Sequence, residues 1–171
     1  TAVGPNAAYA TTTGGRNIAI GKDALKSNTT ASNSVAIGYQ ASDASTTGTA
    51  NIAIGSGTGG TITTGSYNSA GTAVTTATNN TLIGGFAGDA LTTGGSNLAL
   101  GTNSLGGNST GTNNVAVGVT ALKVATGSNN TAVGDGAGSL ITSGAKNSIL
   151  GRFNGNQGGL DIRTSSSNIV L

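Results

Sequence analysis

The feature that most constrains this chain is a glycine that returns every 17 residues. A cassette of Asn, a variable residue, Ala, an aliphatic residue and Gly ends at Gly21, Gly38, Gly55, Gly84, Gly101, Gly118, Gly134 and Gly151, in steps of 17, 17, 29, 17, 17, 16 and 17. The long step becomes regular when residues 67–78 are taken out. Gly65-Ser66 then runs into Asn79-Asn80-Thr81 as Gly127-Ser128 runs into Asn129-Asn130-Thr131. A ninth cassette, Asn168-Ile169-Val170-Leu171, predicts that the repeat continues past the last residue. A constant step of this size means like units stacked along one direction, each burying its apolar face against the next.

Within the cassette the residue types alternate. The position before the glycine is Ile20, Ile37, Ile54, Ile83, Leu100, Val117, Val133 or Leu150. The position two before it is Ala19, Ala36, Ala53, Ala99, Ala116 or Ala132, with Leu82 and Ile149 as exceptions. Successive side chains on a strand point to opposite faces. The cassette therefore reads as a short strand with one bulky and one small face. The bulky column is expected to fill the core, and the Ala column to form a smooth face for packing against other copies.

Four before the glycine stand Asn17, Asn51, Asn80, Asn97, Asn114, Asn130 and Asn147, with Ser34 as the substitute. Asn side chains stacked at the strand spacing of about 4.8 Å can hydrogen-bond as a ladder. The rest of each unit repeats more loosely. A small residue stands three after the glycine in most units, such as Ala24, Ala41, Ala87 and Ala121, and turn signals follow at Thr46-Thr47-Gly48, Thr92-Thr93-Gly94 and Thr142-Ser143-Gly144. The expected fold is all-β, a parallel β-solenoid or β-roll of about 17-residue coils with two short strands in each.

Composition removes much of chemistry. The chain has no Cys, His, Met or Trp, and charged residues are only 7% of it. No thiolate or imidazole is present to bind a metal or act as a base. No catalytic residue, cofactor site or metal site is read from the sequence. Seven basic residues scattered from Arg16 to Arg163 make no patch for a phosphate backbone, so nucleic acid is not expected as a partner. No apolar run approaches the ~18 residues of a membrane span, so membrane insertion is not expected either. Gly55-Ser56-Gly57-Thr58-Gly59-Gly60 fits a dinucleotide-binding pattern but no helix follows it, and Gly84 to Leu91 lacks the tandem nonapeptides of calcium-binding rolls.

Each coil carries only a few aliphatic side chains. At roughly 25 cal/mol per Å² their burial barely offsets an ordering cost of about 1–2 kcal/mol per residue. That deficit predicts a partner copy. Strings such as Asn33-Ser34-Val35-Ala36-Ile37-Gly38 resemble the head repeats of YadA-like trimeric autotransporter adhesins. The 17-residue form with Thr-Thr-Gly turns, as around Asn113-Asn114-Val115-Ala116-Val117-Gly118, is similar to repeats in tail fibres of marine and cyanobacterial phages. The run from Gly159 to Leu171 resembles segments that close such arrays. The resemblance spans the chain from about Gly15 onward. It implies a left-handed β-roll packed as a homotrimer, and an extracellular fibre that attaches to a host. Expected partners are the chain itself, neighbouring fibre segments and a host surface glycan or protein receptor.

The expected organisation is a lead-in over residues 1–14, a repeat array over 15–158 with the insertion 67–78, and a terminal cap over 159–171. The insertion is read as a loop leaving the roll. Within it Tyr67, Asn68, Ser69, Thr72, Thr75 and Thr76 carry an aromatic ring and hydrogen-bonding groups suited to a receptor. A decorative loop or a shortened extra coil built on Ala73 and Val74 is the alternative for that segment. Alternatives for the whole are a bacterial adhesin head rather than a virion fibre, and an ice-binding solenoid, since Thr13, Thr30, Thr47 and Thr64 also recur at 17. A polysaccharide-cleaving solenoid is disfavoured because no carboxylate pair stands at a spacing suited to acid–base work.

Overall fold

A computed structural model describes residues 1–60 and 76–171, together with the backbone of residues 69–70. The chain winds into a parallel β-solenoid. Its strands are β1 (Ala2–Val3), β2 (Ile18–Ile20), β3 (Val35–Ile37), β4 (Ile52–Ile54), β5 (Ser69–Ala70), β6 (Thr81–Ile83), β7 (Leu98–Leu100), β8 (Val115–Val117), β9 (Thr131–Val133), β10 (Ser148–Leu150), β11 (Asn156–Gln157), β12 (Leu160–Asp161) and β13 (Ile169–Val170). All but β11 and β12 form one sheet in chain order, β1 to β10 and then β13. The register keeps like on like: Ala19 faces Ala36, Ala36 faces Ala53, and Ala99 faces Ala116. A slip of one residue would turn every side chain to the other face, and the 17-residue step forbids it.

Three features differ from the sequence reading of the array. Residues 1–14 are part of the stack rather than a lead-in, because β1 pairs with β2 and a coil runs on from Gly4. The insertion is not wholly a loop, because Ser69 pairs with both Ile52 and Thr81 and Ala70 pairs with Ala53. The regular step therefore runs from β4 to β5, and the shortened one lies between β5 and β6. Third, among the described residues the regular coils carry one strand rather than two. The span after each glycine is a stack of turns in which left-handed residues alternate with residues of negative φ, as at Asp23 and Leu25 (φ 59° and 50°) or Thr120 and Leu122 (φ 56° and 49°). That alternation curls the backbone and excludes a β-strand. The turns still bond from coil to coil: Leu25 N donates to Ala41 O at 2.9 Å and Leu105 N to Ala121 O at 3.0 Å.

The largest correction concerns which face is inside. Ala19, Ala36, Ala53, Ala99, Ala116 and Ala132 are completely buried, whereas the bulky column points outward, with Ile20 at 38%, Ile54 at 62% and Leu150 at 58% exposure. Ile83 and Leu100 are exposed and Ile37, Val117 and Val133 half-exposed. The bulky residues are thus not the core, and the Ala column is not an outer face. The reason is width. Opposite the strand, Leu25, Leu105 and Leu122 reach across the coil and are buried, leaving room only for Ala. Holding Leu at positive φ costs about 1–2 kcal/mol. Its burial contributes about 1.5–3 kcal/mol, so the conformation is held.

The exceptions in the Ala column follow the same rule. Where the opposite wall is Gly88, the strand carries Leu82, and a Cβ on Gly88 would lie 2.9 Å from both Leu82 Cδ atoms. Where it is Gly138, Leu122 of the preceding coil and Ile149 of the next share the space, 2.9 and 3.1 Å from the position of such a Cβ. Most of the glycines that end the cassettes are required by close approach as well as by φ, whereas at Gly151 (φ 112°) only φ applies, since an added Cβ would meet nothing within 4 Å. At Gly84 (φ 133°) an added Cβ would meet the Gly101 carbonyl at 2.7 Å.

Candidate interaction surface

The Asn column does more than stack. Asn114 Oδ1 accepts the backbone N–H of Asn130 at 2.9 Å, while Asn114 Nδ2 donates to the Gly127 carbonyl at 3.0 Å. The same pair of bonds joins Asn97 to Asn114 N and Gly111 O, Asn130 to Asn147 N and Gly144 O, and Asn147 to Asn168 N and Ser165 O. Asn17 bonds Ser34 N and Ala31 O. Direct amide-to-amide bonds are the lesser part, as between Asn97 Nδ2 and Asn80 Oδ1 at 3.2 Å. Each Asn thus satisfies one donor and one acceptor of the next coil. A buried polar group must be satisfied, and only a primary amide of this length supplies both partners at once. The ladder is structural and locks the coils in register.

With the Asn and Ala columns turned inward, the opposite face of the sheet is left as a ribbon of aliphatic side chains. Ile18 and Ile20, Ile52 and Ile54, Leu98 and Leu100, and Val115 and Val117 stand two abreast along it. Parallel pairing sets successive pairs about 4.8 Å apart. Polar residues enter at Thr81, Thr131 and Ser148. Variation of this kind within one column was the available signal that the bulky face is the outer one. The inward Ala and Asn columns hardly vary.

Charge is sparse and paired locally. The Asn6 amide donates to Asp23 Oδ1 at 2.9 Å, and Lys26 Nζ lies 3.5 Å from the same oxygen. The hydrogen bond from Asn6, opposed by desolvation and aided by Lys26, lowers the Asp23 pKa. Asp161 accepts two bonds from the Arg163 guanidinium, at 3.0 and 2.7 Å, and one from the Arg163 N–H. These hold its pKa down to about 2, and the same pairing raises that of Arg163. Arg152 Nη2 meets Asp135 Oδ2 at 3.2 Å. Among the described residues no group of three potential ligand side chains gathers as for a metal ion, and no helix is long and apolar enough to cross a membrane.

Of the residues singled out as a receptor loop, Tyr67, Asn68, Thr72 and Thr75 lie outside the described residues. Ser69 is in β5. Thr76 belongs to the stack, its N–H and hydroxyl both donating to Thr92 O at 3.0 and 3.2 Å. Gly55 to Gly60 and Gly84 to Leu91, the two glycine-rich runs, are turn segments of ordinary coils. Comparison with protein-family models, with characterised proteins and with solved structures returns no match to this chain.

Proposed function

We propose that the chain is a structural and adhesive segment of a trimeric extracellular fibre, a phage tail fibre engaged in host attachment. The observation that carries this reading is the exposed, largely aliphatic ribbon on the sheet, together with a coil too thin to bury much by itself. Exposed apolar patches of that extent mark interaction surfaces. A ribbon of constant pitch is best matched by another ribbon of the same pitch, which a second copy of the chain supplies. Three copies arranged about an axis parallel to the solenoid, each turning its ribbon inward, is the arrangement that the resemblance to trimeric adhesin and phage-fibre repeats implies, with left-handed coils.

In this reading the chain is not an enzyme. Its partners are its own copies, the adjoining fibre segments and a host surface glycan or protein. Ice binding is less well supported, because the threonine column next to Thr13, Thr30 and Thr47 spends its hydroxyls within the stack, so no two-abreast array of free hydroxyls is formed there. Thr12, Thr29, Thr92 and Thr142 donate to carbonyls one coil on, at 3.0 to 3.2 Å. Light scattering on the purified chain tests the assembly, with three times the chain mass of 16.1 kDa expected. A folded monomer at micromolar concentration refutes it. Attachment is tested by binding of labelled chain to bacterial cells.

A further inference from the structure

The last coil departs from the repeat. Ser148 of β10 pairs with Ile169 of β13, a step of 21 residues, and the added length is taken up by the antiparallel β11–β12 hairpin turning at Gly158 and Gly159. Between this hairpin and the preceding turns lies an open cleft of about 420 Å³, lined by Asp135, Gly136, Ser139, Arg152, Asn154 and Gln157. That volume falls in the range of roughly 300–1,000 Å³ usual for small-molecule sites.

Its chemistry is mixed and held in place. The Asp135–Arg152 ion pair forms one side at 3.2 Å. The Asn154 side-chain Oδ1 accepts the Asn156 N–H at 2.9 Å, and Gln157 Oε1 accepts the Asn154 N–H at 3.1 Å. Both amide NH₂ groups are thereby left as donors without a partner among the described residues. Ser139 adds a hydroxyl that can donate and accept. The repeat does not require this set: the positions equivalent to Asp135 in other coils hold Pro5, Lys22, Tyr39, Thr102 or Val119. We infer that the cleft is a saccharide subsite, which deepens and rests on the attachment reading. An anion would face Asp135 and a cation Arg152. Adjacent sugar hydroxyls, each donor and acceptor, match guanidinium, carboxylate, amides and hydroxyl together.

Gly136 gives a clean test. A Cβ there meets nothing within 4 Å, and its φ of 70° is close to the 58° at which Phe86 occupies the equivalent turn position. Gly136→Phe therefore fills the cleft with a side chain that this fold already accepts. Saturation-transfer NMR on the whole chain, with methyl glycosides of glucose, galactose, mannose and N-acetylglucosamine, should show transfer to at least one. That transfer should vanish in Gly136→Phe and weaken at least tenfold in Arg152→Ala. No transfer to any glycoside, or equal transfer in wild type and both variants, overturns the subsite; should Gly136→Phe fail to fold, Arg152→Ala decides. Cell binding separates the two readings. Wild-type attachment that is unchanged in Gly136→Phe removes the cleft and keeps attachment, whereas glycoside binding without attachment keeps the cleft and removes attachment.

Discussion

Replacing Asn114 tests what holds the coils together. The side chain is completely buried and bridges Asn130 N–H and Gly127 C=O. Asn114→Leu keeps the volume and orphans both groups; each unsatisfied buried group costs about 1–3 kcal/mol, so about 2–6 kcal/mol is expected. Asn114→Asp keeps the acceptor but sets a carboxylate oxygen against the Gly127 carbonyl. Burial and that carbonyl raise the folded-state pKa above the unfolded value near 3.9. The sign follows. Below about pH 4 the acid is protonated in both states and its O–H can donate to Gly127, so the variant lies close to wild type. As pH rises past the unfolded value the unfolded state loses its proton first, and the deficit grows by about 1.4 kcal/mol per unit until the folded pKa is reached. Urea unfolding of wild type and variant at pH 3 and 7, at one protein concentration, gives the difference. Asn113→Gly is the control, since Asn113 is exposed at φ 56° and should change little. A deficit equal at both pH values, or an Asn114→Leu cost below about 1 kcal/mol, refutes the bridging account.

Ile54→Glu with Leu100→Glu, on the ribbon, should give a folded monomer by light scattering, while Ala116→Glu, inside the coil, should abolish folding as seen by circular dichroism, since an unpaired buried charge costs several kcal/mol. Leu82→Ala should cost about 2–5 kcal/mol. Gly88→Leu in the same chain should recover most of it, because the pair then matches Leu105 opposite Ala99, and denaturant midpoints of the single and double variants check this. Asp23 and Asp161 have folded pKa values below the ordinary carboxylate range. The stability they contribute is present above pH 4 and is lost as pH falls through the lowered folded values, for Asp161 toward about 2, which acid titration of wild type against Asp161→Asn would show.

The stacking axis, the register and the coil length were legible because they depend only on where the glycines fall. Gly84 and most of its counterparts are fixed by backbone approach and all by positive φ, constraints that leave little choice of residue. The inside and outside of the sheet were not legible from alternation, which defines two faces without naming the buried one. Hydrophobicity pointed to Ile54 and Leu100 as core, because burial is ordinarily where large aliphatic groups go. Here the coil is so narrow that Leu105 from the turn wall leaves space only for Ala99. The clue lay in parity: Asn97, Ala99 and Gly101 share a face, and an amide that recurs in every cassette but the one with Ser34 needs fixed partners that water would not require. The single strand per coil was hidden for a related reason. Positive φ at Leu105, Thr120 and Leu122 contradicts the preference of those residues; burial overrides it at the two leucines, and Thr120 is held by its N–H bond to the Thr102 carbonyl one coil back. The terminal cleft was invisible because its six residues come from two stretches, 135–139 and 152–157, and the second leaves the repeat pattern to form the hairpin. In a repeat of this kind, what every coil shares reports on the backbone. What one coil alone carries is where recognition has room to arise.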